Sequence, residues 1–190
     1  MTTTIALRDL KMVAGEGRSV ELATDLAPWH QGGFAYATVG DRPVNARIYV
    51  SAMDGAGWAF HLRFDTVVHG PCARCLEDAR VALRIDTHEV HDPTQKDDED
   101  LYSFFVDRDE VLDVSEWAFD AVGIEFPTKV LCRDDCKGLC PNCGINRNEE
   151  TCSCDLSNPD PRWEKLRELK LAADDQIAAD EANAAGDTDS

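Results

Sequence analysis

At 190 residues, 43% of them apolar, the chain is long enough for one domain, or one domain with an appendage, around a packed core. It contains no run of about 18 apolar residues, so we expect no membrane-spanning segment. The net charge of −18 argues against unspecific nucleic-acid binding, because basic side chains supply most of that affinity. The acidic excess lies mainly in residues 92–131 and 172–190, which leaves room for a local basic surface elsewhere.

Short strands are predicted at the N-terminus, and longer ones follow. Residues 5–10 could open a short strand, and the glycines and prolines of residues 13–33 indicate short strands joined by loops. Residues 44–50, 58–64 and 81–85 then alternate between apolar and polar side chains, the period of a strand with one buried face. We expect the second strand to continue to Gly70 and Pro71 and the third to run on to Val90. We therefore expect an antiparallel meander of three strands.

The chain after the meander predicts a loop, a strand and a helix. Residues 92–100 are mostly acidic and indicate a solvated loop, without the apolar surroundings that would tune a catalytic carboxylate pair. Residues 101–106 have the composition of a strand. Asp113 and Glu116 fit a capping box, and Pro127 predicts the end of the helix, which we expect to cover the apolar face of the sheet. Its apolar positions include Trp117, Val122 and Ile124.

The C-terminal region predicts a second helix and a tail. Asp160 followed by Pro161 is a strong start signal, and Trp163 and Leu166 lie on one side of a short amphipathic helix. Core packing is the favoured role of this apolar side, and docking to a partner is the alternative. Residues 172–190 indicate a disordered acidic tail.

Cysteines give the most specific signal in the chain. Cys72 and Cys75 are separated by two residues, as are Cys140 and Cys143, and Gly144 can make the left-handed turn that brings backbone amides toward the sulfurs. The N-terminal residues lack the pattern of a secretory signal, so we expect a cytoplasmic protein with reduced thiols that bind Zn²⁺. Structural disulfides, free or redox-active thiols and an iron–sulfur cluster are the alternatives.

The eight thiols suit two metal sites with four ligands each. The favoured grouping is Cys72, Cys75, Cys132 and Cys136 in one site, and Cys140, Cys143, Cys152 and Cys154 in the other. The first site would clamp the tip of the second hairpin to the chain that leaves the helix. A second grouping stays open. It would place Cys132 and Cys136 with Cys140 and Cys143, and Cys72 and Cys75 with Cys152 and Cys154. In either grouping all four positions are filled, so we predict about two structural Zn²⁺ ions per chain.

Two cysteine motifs carry a resemblance to a known family. The first is Cys72-Ala-Arg-Cys-Leu76 after a strand, and the second runs from Cys132 through Gly138-Leu-Cys-Pro-Asn-Cys-Gly144 to Asn146 and Asn148. In this order, over about residues 5–171, they resemble the YceD-like family, the large ribosomal RNA subunit accumulation proteins. The resemblance implies a non-enzymatic bacterial or plastid protein needed for normal levels of 23S rRNA and for large-subunit biogenesis. Because some members have only the first motif, it also implies that the second metal site is an elaboration.

Together these observations predict an α+β fold with an antiparallel β-sheet, a covering helix, a Cys-rich zinc-binding module and a C-terminal helix. The predicted organisation is residues 1–131 for the sheet and helix, 132–171 for the zinc module and the C-terminal helix packed on it, and 172–190 for the tail. The predicted partner is a 23S rRNA precursor or a large-subunit assembly factor, with no membrane and no small-molecule substrate.

A candidate RNA-contact surface surrounds the predicted metal sites and comprises Arg74, Arg133, Lys137 and Arg147. Each could instead be a solvated charge, and Arg74 could hold its loop through a hydrogen bond. One rival function is a protein–protein adaptor without RNA contact, which the net charge favours. Another is a thiol redox sensor or zinc-dependent switch, in which Arg133 or Lys137 lowers the pKa of an exposed thiol. A hydrolase is disfavoured, because the five histidines have no metal-site or triad spacing in the sequence.

Overall fold

The computed structural model describes residues 2–40, 43–95, 101–154 and residue 165. The chain divides into two compact units, Met1–Gly138 and Leu139–Ser190. The predicted acidic tail and, apart from Lys165, the predicted C-terminal helix lie outside the described residues.

A six-stranded antiparallel sheet forms the framework of the first unit. Its strands are β2 (Gly17–Thr24), β3 (Trp29–Gln31), β4 (Phe34–Thr38), β5 (Val44–Ala52), β6 (Trp58–Pro71) and β7 (Asp78–His91). Strand β6 is central: β5 and β4 pair with successive parts of one edge, β7 pairs with the other edge, and β2 and β3 extend the sheet beyond β5 and β4. A small second sheet joins β1 (Thr4–Ala6) to β8 (Val111–Asp113).

The predicted meander is confirmed as β5, β6 and β7, and β6 and β7 end at Pro71 and His91, close to their predicted ends. The alternation of apolar and polar side chains arises because one face of the sheet is buried: Ile48, Leu62 and Ile85 are at most 1% exposed there. Polar side chains occupy the other face. The turn between β5 and β6 includes a short 3₁₀-helix, Asp54–Ala56.

Helix α1 (Val114–Glu125) begins at the predicted cap, where the Asp113 carboxylate accepts a 2.9 Å hydrogen bond from the Glu116 N–H. It ends before Pro127. The helix contacts β7, β1 and β2, and the Trp117 ring lies edge-on to Phe60 with centroids 6.2 Å apart. The apolar face of the sheet is therefore packed against this helix.

The expectation for Ile124 is wrong. Trp117 and Val122 are buried, but Ile124 is 75% exposed. Phe126, just after the helix, anchors this end instead, because its ring packs against Trp29 and Tyr36 with centroid distances of 4.9 and 5.1 Å.

The strand predicted over residues 101–106 is also wrong. These residues form turns and irregular chain, and they join no ladder beyond one isolated bridge from Val106 to Leu112. Tyr102 packs against His91, and the Ser103 hydroxyl accepts a hydrogen bond from the Phe105 N–H.

Residues 5–10 are strand only as far as Ala6, and Leu7–Leu10 form a 3₁₀-helix. No helix in the described part of the chain is long and apolar enough to cross a membrane.

Candidate metal centres

The first group of thiols starts at the tip of the β6–β7 hairpin, where the sequence predicted it. The loop is closed by two backbone hydrogen bonds, from Cys72 N–H to Glu77 O at 2.8 Å and from Leu76 N–H to Cys72 O at 3.0 Å. Leu76 has a φ of +66°, a left-handed conformation that is uncommon for a residue with a branched side chain. The loop turns both cysteines of the tip to one side.

The segment after helix α1 brings the other two thiols of the first unit to this loop. Ala73 N–H donates to Val130 O at 2.8 Å, and Cys136 N–H donates to Arg133 O at 3.1 Å in the turn between the two cysteines. The Sγ atoms of Cys72, Cys75, Cys132 and Cys136 all lie within 4.8 Å of one another.

The distances between these sulfurs fit a tetrahedral metal ion. The Cys72–Cys136 Sγ separation is 3.8 Å and the Cys75–Cys132 separation is 3.5 Å. Four thiolates at about 2.3 Å from Zn²⁺ would lie about 3.8 Å apart, whereas a disulfide needs about 2.05 Å. All four cysteines are unbridged, and Cys132 alone is exposed. An all-sulfur donor set of this size suits Zn²⁺.

Backbone hydrogen bonds and burial shift the pKa values of two thiols of the first group in opposite directions. Burial alone would raise the pKa of Cys72, but hydrogen bonds from the backbone N–H groups of Arg74 and Cys75 outweigh it and lower that pKa to about 6. Burial raises the pKa of Cys75 to about 12. A divalent cation would offset the repulsion between several thiolates, which is the condition for all four sulfurs to become ligands.

Arg74 lies inside the loop and holds it to the second segment. Its Nη1 donates a 2.8 Å hydrogen bond to Cys136 O, and its N–H lies 3.5 Å from Cys72 Sγ. Gly138, with a φ of +71°, passes so close that a Cβ there would be 2.9 Å from Arg74 O. Of the other candidate RNA-contact residues, Arg133 is paired with Asp135 at 3.3 Å and is half exposed. Lys137 is exposed and Arg147 is half-buried.

The second group belongs to the second unit and is built on a tight hairpin. Cys140 N–H donates to Ile145 O and Gly144 N–H donates to Cys140 O, both at 2.8 Å. Gly144 has the predicted left-handed conformation, with a φ of +75°. A bridge between Leu139 and Asn146 closes the hairpin.

An asparagine-rich turn then returns the chain to the hairpin. The Asn146 side-chain oxygen accepts hydrogen bonds from the N–H and the side-chain amide of Asn148, at 3.1 and 2.9 Å. Glu149 N–H and Glu150 N–H both donate to Asn146 O. The result is a second set of thiols whose Sγ atoms lie within 4.8 Å of one another: Cys140, Cys143, Cys152 and Cys154.

In the second group, as in the first, one thiol has a lowered pKa and another has a raised one. Hydrogen bonds from the backbone N–H groups of Cys143 and Asn142 lower the pKa of Cys140 to about 6. The hydrogen bond between Cys154 and Cys143, followed by burial, raises the pKa of Cys154 to about 12. The sulfur distances in the two units match the favoured grouping, with four candidate ligands in each unit. Metal binding itself stays a prediction.

A third cluster of candidate ligands has no counterpart in the sequence patterns. His61, on β6, and Asp86 and His88, on β7, place their nitrogen and oxygen atoms within 4.8 Å of one another on the outer face of the sheet. Sequence spacing could not show this, because the cluster depends on the register in which β6 pairs with β7.

Comparison with known proteins gives a family match that includes both cysteine groups. The family model described as "Large ribosomal RNA subunit accumulation protein YceD" matches residues 60–170. A relative described as the large ribosomal RNA subunit accumulation protein YCED homolog 1, chloroplastic, of Arabidopsis thaliana is 32% identical over 59 residues, which cover 31% of this chain and 18% of that protein.

Mycobacterial proteins are similar over a longer stretch. An uncharacterized protein of Mycobacterium tuberculosis is 37% identical over 110 residues, 53% of this chain and 49% of the relative. An uncharacterized protein of Mycobacterium leprae is 32% identical over 108 residues, 54% of this chain and 48% of the relative. The matched region thus spans about half the length of these relatives. No solved structure matches the chain significantly.

The family match covers more than half of the chain, from the middle of the meander through both thiol groups. The chain belongs to the YceD family of large ribosomal RNA subunit accumulation proteins.

Proposed function

We propose that this protein is a non-enzymatic factor, stabilised by two structural Zn²⁺ ions, that supports the accumulation of 23S rRNA during large-subunit assembly. The observation that carries the proposal is the family match over residues 60–170. Its partner would be a 23S rRNA precursor or a large-subunit assembly factor, and its place of action the cytoplasm. The name of the Arabidopsis relative gives the same kind of role to a chloroplast protein.

The cysteine groups support a structural role for the metal. Each group supplies four sulfurs, which fill the tetrahedral shell of Zn²⁺ and leave no position for a substrate or an activated water. Bound zinc would supply a cross-link between the loops that carry the four sulfurs of each group. In the first unit that cross-link joins the β6–β7 tip to the segment after helix α1, in addition to the Arg74 hydrogen bond.

Deletion of the gene in the native host tests the proposal. We expect a lower ratio of 23S to 16S rRNA on RNA gels and fewer free 50S particles on sucrose gradients. The wild-type gene should restore both, and a gene encoding Cys75→Ser/Cys136→Ser should restore neither, because that variant lacks the zinc cross-link of the first group. Unchanged 23S rRNA and 50S levels after deletion would refute the proposal.

A protein–protein adaptor is the second candidate, and the net charge of −18 favours it. Pull-down from cell extract with and without ribonuclease separates the two mechanisms. Partners that disappear after nuclease treatment support contact with RNA, and partners that persist support an adaptor.

A further inference from the structure

The outer face of the sheet, on the side away from Phe60 and helix α1, carries two adjacent rows of side chains across four strands. Strand register defines both rows. The first, which we call the ring row, contains Ser19, Tyr49, His61 and His88. The second, the arginine row, contains Glu21, Arg47, Arg63 and Asp86.

Two arginines stand opposite each other at the centre of the arginine row. Arg47 on β5 is the register partner of Arg63 on β6. Like charges directly opposite each other destabilise a sheet, so the fold itself gains nothing from this pair. Glu21 binds Arg47 at 2.6 Å from one side, but Arg63 forms no ion pair with any residue in the described part of the chain. Two arginines at opposed register positions on one face of a sheet are candidate ligands for an anion.

The ring row offers flat surfaces next to these charges. Tyr49 is 46% exposed, and its ring lies across Gly17, where a Cβ would overlap the Tyr49 hydroxyl. The missing side chain at Gly17 therefore allows the ring to lie over β2. The His61 and His88 rings are stacked, with centroids 3.8 Å apart and planes 19° apart.

Between the two rows is a cleft of about 340 Å³, lined by Ser19, Arg47, Tyr49, His61 and Arg63. Its described lining contains no carboxylate, although Glu21 and Asp86 flank the two arginines at the ends of their row. Although the chain has a net charge of −18, this cleft is lined by two arginines and by the rings of Tyr49 and His61. This combination is complementary to a phosphate with an attached base.

A metal ion fits the His61, Asp86 and His88 cluster less well. The Arg63 Nη2 lies 3.3 Å from His61 Nδ1, and a guanidinium can only donate, so Nδ1 accepts. The His61 Nε2 then carries the proton and donates to Asp86 Oδ1 at 2.6 Å. Both nitrogens of His61 are engaged, and the adjacent guanidinium repels a cation.

We propose that this cleft binds single-stranded RNA, with a phosphate between Arg47 and Arg63 and a base stacked on Tyr49 or on the His61 and His88 rings. Single-strand binding surfaces combine these two elements, a cationic groove and stacking rings. The inference deepens the proposed function, on which it rests, and assigns the RNA contact to the outer sheet face instead of the surroundings of the cysteine groups.

The test uses the full zinc-loaded chain and a fluorescent ten-nucleotide uridine RNA in anisotropy titrations over a range of salt concentrations. Arg47→Ala/Arg63→Ala should weaken binding at least about tenfold. The slope of log K against log salt concentration, here called the salt slope, should become shallower by about 0.7 for each phosphate that the arginines no longer neutralise. Tyr49→Leu should weaken binding about tenfold without changing that slope. The control Arg80→Ala/Arg108→Ala removes two exposed arginines outside the cleft and should stay within about twofold.

Thermal melting followed by circular dichroism checks that the variants fold. Arg47→Ala/Arg63→Ala should melt close to the wild-type temperature, because removal of two opposed like charges offsets the loss of the exposed Arg47–Glu21 ion pair and the Arg63–His61 hydrogen bond. Equal losses of affinity in the arginine variant and the control, or no loss in either, would overturn the inference. So would failure of the wild-type protein to bind the oligonucleotide.

Complementation separates this inference from the proposed function. In the deletion strain, Arg47→Ala/Arg63→Ala should fail to restore 23S rRNA, whereas Arg80→Ala/Arg108→Ala should restore it. If deletion lowers 23S rRNA but the cleft variant restores it fully, the function stands and the cleft assignment is wrong. If the cleft variant instead loses a nuclease-resistant protein partner, the occupant is a protein and the RNA assignment is wrong.

Discussion

The Arg74 guanidinium reaches from the tip of the β6–β7 hairpin to the main chain of Cys136, where Nη1 donates a 2.8 Å hydrogen bond to the carbonyl oxygen. One residue between the cysteines of the loop thus joins the two segments that provide the first thiol group. The sequence allowed three roles for Arg74, and this contact favours the hydrogen bond that holds the loop.

Arg74→Ala should lower the free energy of unfolding by about 1–2 kcal/mol, because it removes the charged hydrogen bond to a part-buried carbonyl. Urea denaturation of the zinc-loaded protein measures this. Arg133→Ala is the matched control, since Arg133 is half exposed and only ion-paired, and it should cost less than about 0.5 kcal/mol. If Arg74→Ala leaves stability unchanged but weakens RNA binding, the residue is an RNA contact instead.

Helix α1 offers a second matched pair of substitutions. Val122 is 1% exposed and Ile124 is 75% exposed on the same helix. Val122→Ala should cost about 2 kcal/mol, because it removes two buried methyl groups and leaves a cavity, whereas Ile124→Ala should stay within about 0.5 kcal/mol. Chemical denaturation compares them. Equal costs would mean that another surface covers Ile124 in solution.

His91 should make stability depend on pH. It is 4% exposed at the end of β7, and burial lowers its pKa below 6.5, although a hydrogen bond with the Ser103 backbone and the charges of Asp92 and Glu110 act the other way. The pKa of His91 is lower in the folded protein than in the unfolded chain. The neutral ring therefore contributes fully to the free energy of unfolding above pH 6.5, and this contribution is lost as the pH falls through the folded pKa.

His91→Leu should therefore flatten the decline in unfolding free energy below pH 6.5. Urea denaturation at several pH values from 5.5 to 7.5 measures the slopes of both proteins, and both keep the same eight cysteines, so metal release affects them alike. Parallel slopes would show that His91 does not cause the acid sensitivity.

Local patterns were sufficient to predict much of the framework. The alternation around Ile48, Leu62 and Ile85 predicted three strands because one face of each is buried. Asp113 predicted the start of helix α1 because capping depends only on residues within one turn. The position of Cys72 at a hairpin tip followed from the two strands around it.

Features that depend on register or on distant packing were not predictable in this way. The opposition of Arg47 and Arg63, and the stacking of His61 on His88, exist only because of how the strands pair. The segment around Phe105 has strand composition but folds into turns, since Val106 makes only an isolated bridge and not a ladder. The left-handed Leu76 had no sequence signal, because glycine is the residue that normally marks such a position.

Zinc stoichiometry tests the central claim, that eight thiols form two closed metal sites. Native mass spectrometry with elemental analysis should find two Zn²⁺ ions in the wild-type protein. It should find one ion in Cys75→Ser/Cys136→Ser and one in Cys143→Ser/Cys154→Ser, since each pair belongs to a different group. A wild-type protein with no metal and eight reactive thiols would contradict the account, as would either variant that retains two ions.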